Sequence, residues 1–488
     1  MLDSVLILAA SQAGVPLDPN PLWIIPFGVL LASIALAPLL LPKWWHGHFP
    51  KVAIGLGSIT LCYYLFGLQS YERVMHTAIE YVSFIVMIGA LYVVSGGIHI
   101  NVKGEATPWG NVLFLLFGAV IANLLGTTGA SMLLIRPWIR MNKYRITGHH
   151  VVFFIFIVSN VGGCLTPIGD PPLFLGYIKG IPFFWVTAHL WPMWLVGVGM
   201  LLATFVVVDW LNYRKAPKSV RDKFNGLADR FEFKGLANVF FLLTILVAIV
   251  FVPKPLFLRE VIMLAAAAGS YFTTNKHIHA LNHFDFFPIK EVGILFIGIF
   301  CTMMPALDWL GLHAREFGQP TPSFYYWGSG ILSAVLDNAP TYLSFLSAMF
   351  GALITPDVIQ QLQHLVQTGG ADFATYVNGP ETEHIKSTWA AMQLYYPALV
   401  AAKTISLENI EIAFLLGNAR FTTFLMAISI GAVFYGACTY IGNGPNFMVK
   451  AIAEHQKIHT PSFLGYVFKY SIPFMLPMLI VVWLLFFR

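Results

Sequence analysis

Two carboxylates stand in stretches of sequence that otherwise read as hydrocarbon. Asp170 closes the polar, glycine- and proline-rich run Ser159 to Pro172, which also holds Ser159, Asn160 and Thr166. Asp337 lies in Ser333 to Thr341, beside Asn338 and Thr341. In the first run Gly162, Gly163, Pro167 and Gly169 interrupt helix, while Pro171 and Pro172 can open the next one, where a missing N–H costs nothing. Unwound backbone at membrane depth is tolerated only where it is buried in protein or lines a cavity. The carbonyls it frees, with Ser159, Asn160, Thr166 and Asp170, are oxygen ligands suited to a small hard cation, and Asp170 can also accept a proton. A carboxylate within a membrane is a functional-site hypothesis by default. The plainer alternative is a proline–glycine kink with a capping aspartate.

A degenerate copy of the run appears far downstream at Thr439 to Asn446, with Asn443 where the first has Asp170, and with Asn446 nearby. Asparagine keeps the acceptor oxygen and loses the charge, so Asp170 is the better carrier of a coupling proton. Asp337 is expected at the tip of a hairpin whose returning helix is opened by Pro340, and it can bind or couple there, or serve only as that helix's N-cap. The first half offers Asn123 at the matching tip, followed by Thr127 and Thr128. Carboxylates sharing such a cavity make a cation and a proton compete for the same oxygens. Of the second-tier residues, Glu80 and Glu291 each open an apolar helix and read as caps or rim residues. Arg420 reads as lying at a helix start, and His76, His99, His149 and His150 as solvated or interfacial residues without a metal spacing.

The elements that must position these groups are membrane helices. The 488 residues are 57% hydrophobic and 10% charged, with a mean hydropathy of +0.73, against about 25% charged residues in an ordinary globular protein. Apolar runs near the roughly 20 residues needed to cross a bilayer recur from end to end. The expected fold is an all-α polytopic membrane protein with two inverted repeats, each carrying a re-entrant hairpin and a discontinuous helix. The first repeat, with an N-terminal helix, spans 1–210, a basic cytoplasmic linker 211–235, and the second repeat 236–488 with an extracytoplasmic insertion at about 353–410. The loop Arg136 to Arg145 is basic without an acid and should share the cytoplasmic face with the linker. Crossings count consistently if 111–135 is a hairpin. Ser387 to Ala402 is only modestly apolar and is expected at the surface or against the outer face. Glu80 and Glu291 are 211 residues apart, Asn123 and Asn338 215, and Asp170 and Asn443 273. The apolar segment Met1 to Ala10 lacks the basic start of a cleaved signal peptide. The four cysteines read as buried thiols. No P-loop, dinucleotide fingerprint or zinc-protease motif occurs, so neither ATP drive, enzymatic turnover, a resident cofactor nor a nucleic-acid partner is expected.

The runs Ser159 to Pro172 and Leu336 to Thr341 resemble the signatures of the ion transporter superfamily. Within it the sequence is similar to the NhaD-type sodium:proton antiporters and their citrate-transporter-like relatives, with arsenite carriers further off. The resemblance implies a homodimer in a bacterial inner membrane that exchanges Na⁺ or Li⁺ for protons. It places Na⁺ at Asp170, Asn160 and Thr166, with Asp337, Asn338 and Thr341 as hairpin partners. The alternative is a Na⁺-coupled symporter of citrate or another carboxylate. That substrate would want positive charge or several helix N-termini in its cavity, and Arg420 pointing inward would favour it.

Overall fold

The computed structural model describes residues 17–103, 107–215, 230–252, 257–318, 320–376 and 381–488. Met1 to Ala10 and most of the basic linker lie outside the described residues. The principal helices are α1 (Ile25–Leu40), α2 (Pro42–Cys62), α3 (Tyr71–Gly96), α4 (Pro108–Met141), α5 (Gly148–Ile157), α6 (Pro171–Ile178) and α7 (Phe183–Lys215). They continue as α8 (Ala237–Phe251), α9 (Leu258–Thr273), α10 (Phe287–His313), α11 (Pro322–Val335), α12 (Asn338–Leu353), α13 (Pro356–Thr368) and α14 (Thr382–Tyr395). The last are α15 (Leu407–Gly417), α16 (Ala419–Tyr435) and α17 (Gly444–His455), before a closing span over Phe463–Phe486. Strands β1 (His99–Lys103) and β2 (Arg230–Lys234) pair antiparallel. Among the described residues nine helical segments are long and apolar enough to cross a bilayer. This is a multi-pass, all-α membrane protein.

One of those nine is folded on itself. Asn111 and Asn142 exchange side-chain hydrogen bonds of 2.9 Å, and the rings of Phe114 and Trp138 stack with centroids 5.5 Å apart. A straight helix would hold the two asparagines about 46 Å apart. The fold-back is at Gly126, whose φ of 73° and ψ of 156° belong to a region open essentially only to glycine. α4 is therefore hairpin 1, with arms before and after Gly126. Hairpin 2 is α11 and α12, joined by extended backbone at Leu336 and Asp337, with Phe345 of the second arm against Phe324 and Tyr325 of the first.

The feet of the two hairpins lie at opposite ends of the bundle. α3 and α10 run antiparallel: Arg73 pairs with Asp308, Phe84 packs on Phe296, and the Tyr92 hydroxyl donates to the Asp285 carbonyl. At the Asp285 end, Asn282 holds the His99 ring beside the β-ribbon. There too hairpin 1 ends, with Arg145 ion-paired to Asp209 of α7 and its carbonyl accepting from Asn212. The basic loop and the start of the basic linker thus share a face, as their charges suggest. At the far end of α10, Arg315 donates to the carbonyls of Gly351 and Ile354, where hairpin 2 ends.

Helix runs unbroken from Pro42 into a wider turn over Tyr63–Gly67, so Lys43 and Lys51 lie within it. The described residues of the 353–410 segment are largely helical. α12 bends by 90° into α13, whose Leu362 and Leu365 are buried, and α14 buries Ile385, Thr388 and Met392 against its neighbours. Ser387 to Ala402 is partly buried.

Replacing Gly126 with alanine forces that backbone into a conformation costing roughly 1–3 kcal/mol and sets a methyl against the Ile168 carbonyl at 3.3 Å. The expected result is a lower unfolding midpoint in detergent for Gly126→Ala, whereas Gly55→Ala, on an open helix face, leaves it unchanged.

Candidate functional site

Each half breaks a helix in the same way. α5 ends at Ile157, a short 3-10 turn covers Val161–Leu165, and α6 begins at Pro171; α16 ends at Tyr435, a 3-10 turn covers Gly436–Cys438, and α17 begins at Gly444. Inside each break two glycines cross closely. A methyl on Gly169 would sit 1.9 Å from the Gly163 carbonyl oxygen, and one on Gly442 2.6 Å from that of Gly436. Each break is tied to its own hairpin by one threonine. Thr166 donates to the Asn123 carbonyl at 2.7 Å, and Thr439 to the Ala334 carbonyl at 2.6 Å.

Asp170 is where these parts meet. Its Oδ1 accepts from the Thr127 hydroxyl at 2.6 Å and the Asn443 amide at 2.9 Å, and its Oδ2 accepts from the Asn338 amide at 2.6 Å. Those three donors belong to hairpin 1, the second break and hairpin 2, and with Asp170 all four residues are buried. Each sits where a helix starts: Thr127 follows Gly126, Asp170 precedes α6, Asn338 opens α12 and Asn443 precedes α17. Four positive helix ends therefore converge on one carboxylate. The hydrogen-bond donors to it are all neutral.

Around this centre the expected residues fall into three groups. Asn160 and Asn446 are held in it: the Asn160 amide donates to Asn446 Oδ1 at 2.7 Å, and Asn160 Oδ1 accepts from Asn443 at 3.1 Å. Ser159 shares a 2.7 Å hydroxyl bond with Ser131, and its carbonyl accepts from Asn443 at 3.3 Å. Buried Asn338 Oδ1 has no hydrogen-bond partner among the described residues. Asp337, Thr341, Thr166 and Asn123 form the frame. Asp337 caps α12 through the Ala339 N–H at 3.0 Å, the role of the plainer reading, and Thr341 donates back to the Asp337 carbonyl. Thr166 turns to backbone rather than to Asp170, and Asn123 bridges the Gly162 carbonyl and the Leu165 N–H. Many freed carbonyls are also engaged, those of Gly436 and Thr439 by Asn446 and that of Gly162 by Asn123 and Trp194.

Glu80, Glu291 and Arg420 lie away from the centre. Glu80 is not a cap: α3 begins at Tyr71, and Glu80 is buried two turns further on, 2.6 Å from Lys179. Glu291 sits just inside α10, half-buried, without an ion pair among the described residues. Arg420 is exposed in the first turn of α16, its guanidinium 5.7 Å from the Phe424 ring, so it supplies no charge to the centre.

The contacts also share a sequence offset. Thr127 and Asn338, the hairpin donors to Asp170, are 211 residues apart, as are Asn123 and Ala334, the carbonyls that take Thr166 and Thr439. The same offset separates Glu80 from Glu291.

Two charged clusters escaped the sequence reading. Lys179, at the end of α6, bonds Glu80 and, at 2.7 Å, Glu408 of α15; its signal was a lone lysine between apolar runs. At the opposite end Asp209 is fully buried and takes Arg145, His150 at 3.0 Å and Asn111 at 2.9 Å, with His149 3.5 Å away. His149 and His150 are thus buried parts of an anchor, against the expectation of solvated rings. Their separation from Asp209 in sequence hid this.

A family profile described as "Putative citrate transport" matches residues 18–487. The chain belongs to that family of membrane transporters. No curated protein matches the sequence. Membership agrees with the citrate-transporter-like side of the resemblance, whereas the NhaD-type side rests on the short motifs alone.

Asp209→Ala leaves Arg145 buried without its carboxylate, and a broken buried pair of this kind costs about 3–5 kcal/mol. Its expected outcome is a sharply lower yield of monodisperse protein and a lower unfolding midpoint in detergent. Glu72→Ala, an exposed change on α3, is expected to match the wild type.

Proposed function

We propose that this transporter is a secondary cation–proton exchanger of a cell membrane, the bacterial inner membrane by resemblance, in which Na⁺ or Li⁺ and the proton contend for Asp170. One observation carries the reading: a single buried carboxylate, faced only by neutral donors, at the meeting point of two hairpins and two broken helices. Neutral amides and hydroxyls can turn an oxygen to a cation as readily as a proton to a carboxylate. The unpartnered Asn338 Oδ1 and the Asn160 Oδ1 supply further oxygens beside Asp170. Thr166 and Asp337 hold the frame around that site. A cleft of about 30 Å³ between α3 and hairpin 1, lined by Leu125, Gly126, Thr127, Gly169 and Pro171, has room for an ion or a water, not for a tricarboxylate. The entry of the hairpins from opposite ends, with matched contacts at common offsets, supports two inverted repeats moving against a scaffold.

A second reading, cation-coupled uptake of citrate or a similar carboxylate, draws on the family description and on the four helix N-termini around Asp170. The exposed position of Arg420 speaks against it.

Both readings are separated in everted vesicles carrying a ΔpH dye, with Na⁺, Li⁺, K⁺ and citrate added singly, alongside labelled-citrate uptake. Exchange predicts dequenching by Na⁺ or Li⁺ without citrate, abolished to the empty-vesicle level in Asp170→Asn. For Asn443→Ala the half-saturating cation concentration rises roughly tenfold or more, the worth of one hydrogen bond to a charged group. Citrate uptake with no cation response by itself would overturn the exchanger.

A further inference from the structure

We propose that the cleft between α3 and the returning arm of hairpin 1 binds the phosphate of an anionic lipid headgroup through Arg136. This cleft, distinct from the one beside Asp170, measures about 20 Å³ and is lined by Tyr92, Ser95, Met132, Arg136, Asn282 and Phe284. Arg136 is half-buried in its wall. The guanidinium has no carboxylate within 4.0 Å among the described residues, and its one side-chain hydrogen bond there is a 3.5 Å contact with the Met132 carbonyl one turn back. Five N–H donors on a planar fork at a cleft mouth are a receptor for a tetrahedral oxyanion.

The neighbouring polar groups cannot fill that role for one another. Asn282 spends both amide hydrogens on the carbonyls of Gly96 and Ile98 and its oxygen on His99. Tyr92 donates to the Asp285 carbonyl and Ser95 to that of Tyr92. Exposed Asp285 accepts from the Phe287 N–H. Asp285 is the carboxylate that bears on the Arg136 guanidinium, with the Arg140 charge opposing it. Burial, with the charges of Arg140, Lys234 and His277 nearby, holds the His99 imidazole below its ordinary range.

Position selects a lipid over a free anion. The cleft lies at the basic end of the bundle, near Arg140 of hairpin 1 and Lys234 of the β-ribbon, and Met132 and Phe284 of its lining are apolar and only half-buried. Basic pockets between membrane helices on the cytoplasmic side are where anionic headgroups settle. A cleft this small takes phosphate oxygens while the acyl chains stay outside on the helices. A lipid seated there touches both α3 and hairpin 1, and so bears on the hairpin that reaches Asp170.

Native mass spectrometry on protein released from nanodiscs tests this, using phosphatidylcholine discs with and without phosphatidylglycerol. The wild type is expected to retain phosphatidylglycerol over phosphatidylcholine, with retention about tenfold weaker in Arg136→Gln, the scale of one lost charge-assisted hydrogen bond. Arg136→Lys should recover part of it, and Lys143→Gln, on the exposed loop, should match the wild type. Equal retention by wild type and Arg136→Gln overturns the proposal. So does equal protection against heat by inorganic phosphate in lipid-free detergent, which would mark a free-anion site. Should Arg136→Gln fail to fold, Arg136→Lys and the two lipid compositions still decide it.

Discussion

Everything at the centre of this protein depends on keeping one carboxylate buried. An ionised carboxylate transferred out of water is costly unless its lone pairs are met by donors. Asp170 meets three, each on a different element, and each of those elements begins a helix there. The carboxylate is thereby a joint as well as a ligand. It holds the tips of both hairpins and the second broken helix together, and without it the Thr127 hydroxyl and the Asn338 amide would lose the acceptor they reach there.

The two halves are alike in frame and unlike in charge. Crossed glycines, a threonine tied to its own hairpin, and an asparagine or aspartate before the returning helix recur in both. The acid recurs in only one. Were Asn443 an aspartate, two carboxylates would share the space now bridged by a single amide, which donates to Asp170 and Asn160 together. Asparagine at that point lets the second half serve the charge of the first. Asp337, the other acid of the hairpin region, is spent one residue away from the centre on its own helix end.

Much of this was legible in the chain because it is local. Glycine and proline inside apolar sequence marked both breaks and the tip of hairpin 2, and Asp170 stood out as an acid without a surface to occupy. What stayed hidden depends on contacts across the sequence. Asp209 gives no local signal, because Arg145 and Asn111 come to it from 64 and 98 residues away. Lys179 likewise gains its meaning only from Glu80 and Glu408, 99 and 229 residues away in sequence. Hairpin 1 carries no proline at its tip, only Gly126, and Asn123 drew attention by resembling Asn338 when its work is to hold backbone.

The two hairpins differ in how firmly their ends are held, and that difference bears on coupling. Their feet are fastened away from Asp170: by the Asp209 ion pair for hairpin 1, and by Arg315 on backbone carbonyls for hairpin 2. Their tips are fastened by Thr127 and Asn338 to Asp170. A hydrogen bond to a charged acceptor contributes about 1.5–3 kcal/mol and one to a neutral acceptor about 0.5–1.5. On the exchange reading, a proton or cation that neutralises Asp170 weakens these tip bonds together, by about 1 kcal/mol each on those figures. Summed over the three donors, that is comparable with the 1–3 kcal/mol typical of coupling between binding and conformational change. Occupancy of one carboxylate is then enough to loosen both tips at once while the feet stay in place, which is what a site facing alternately to either side requires.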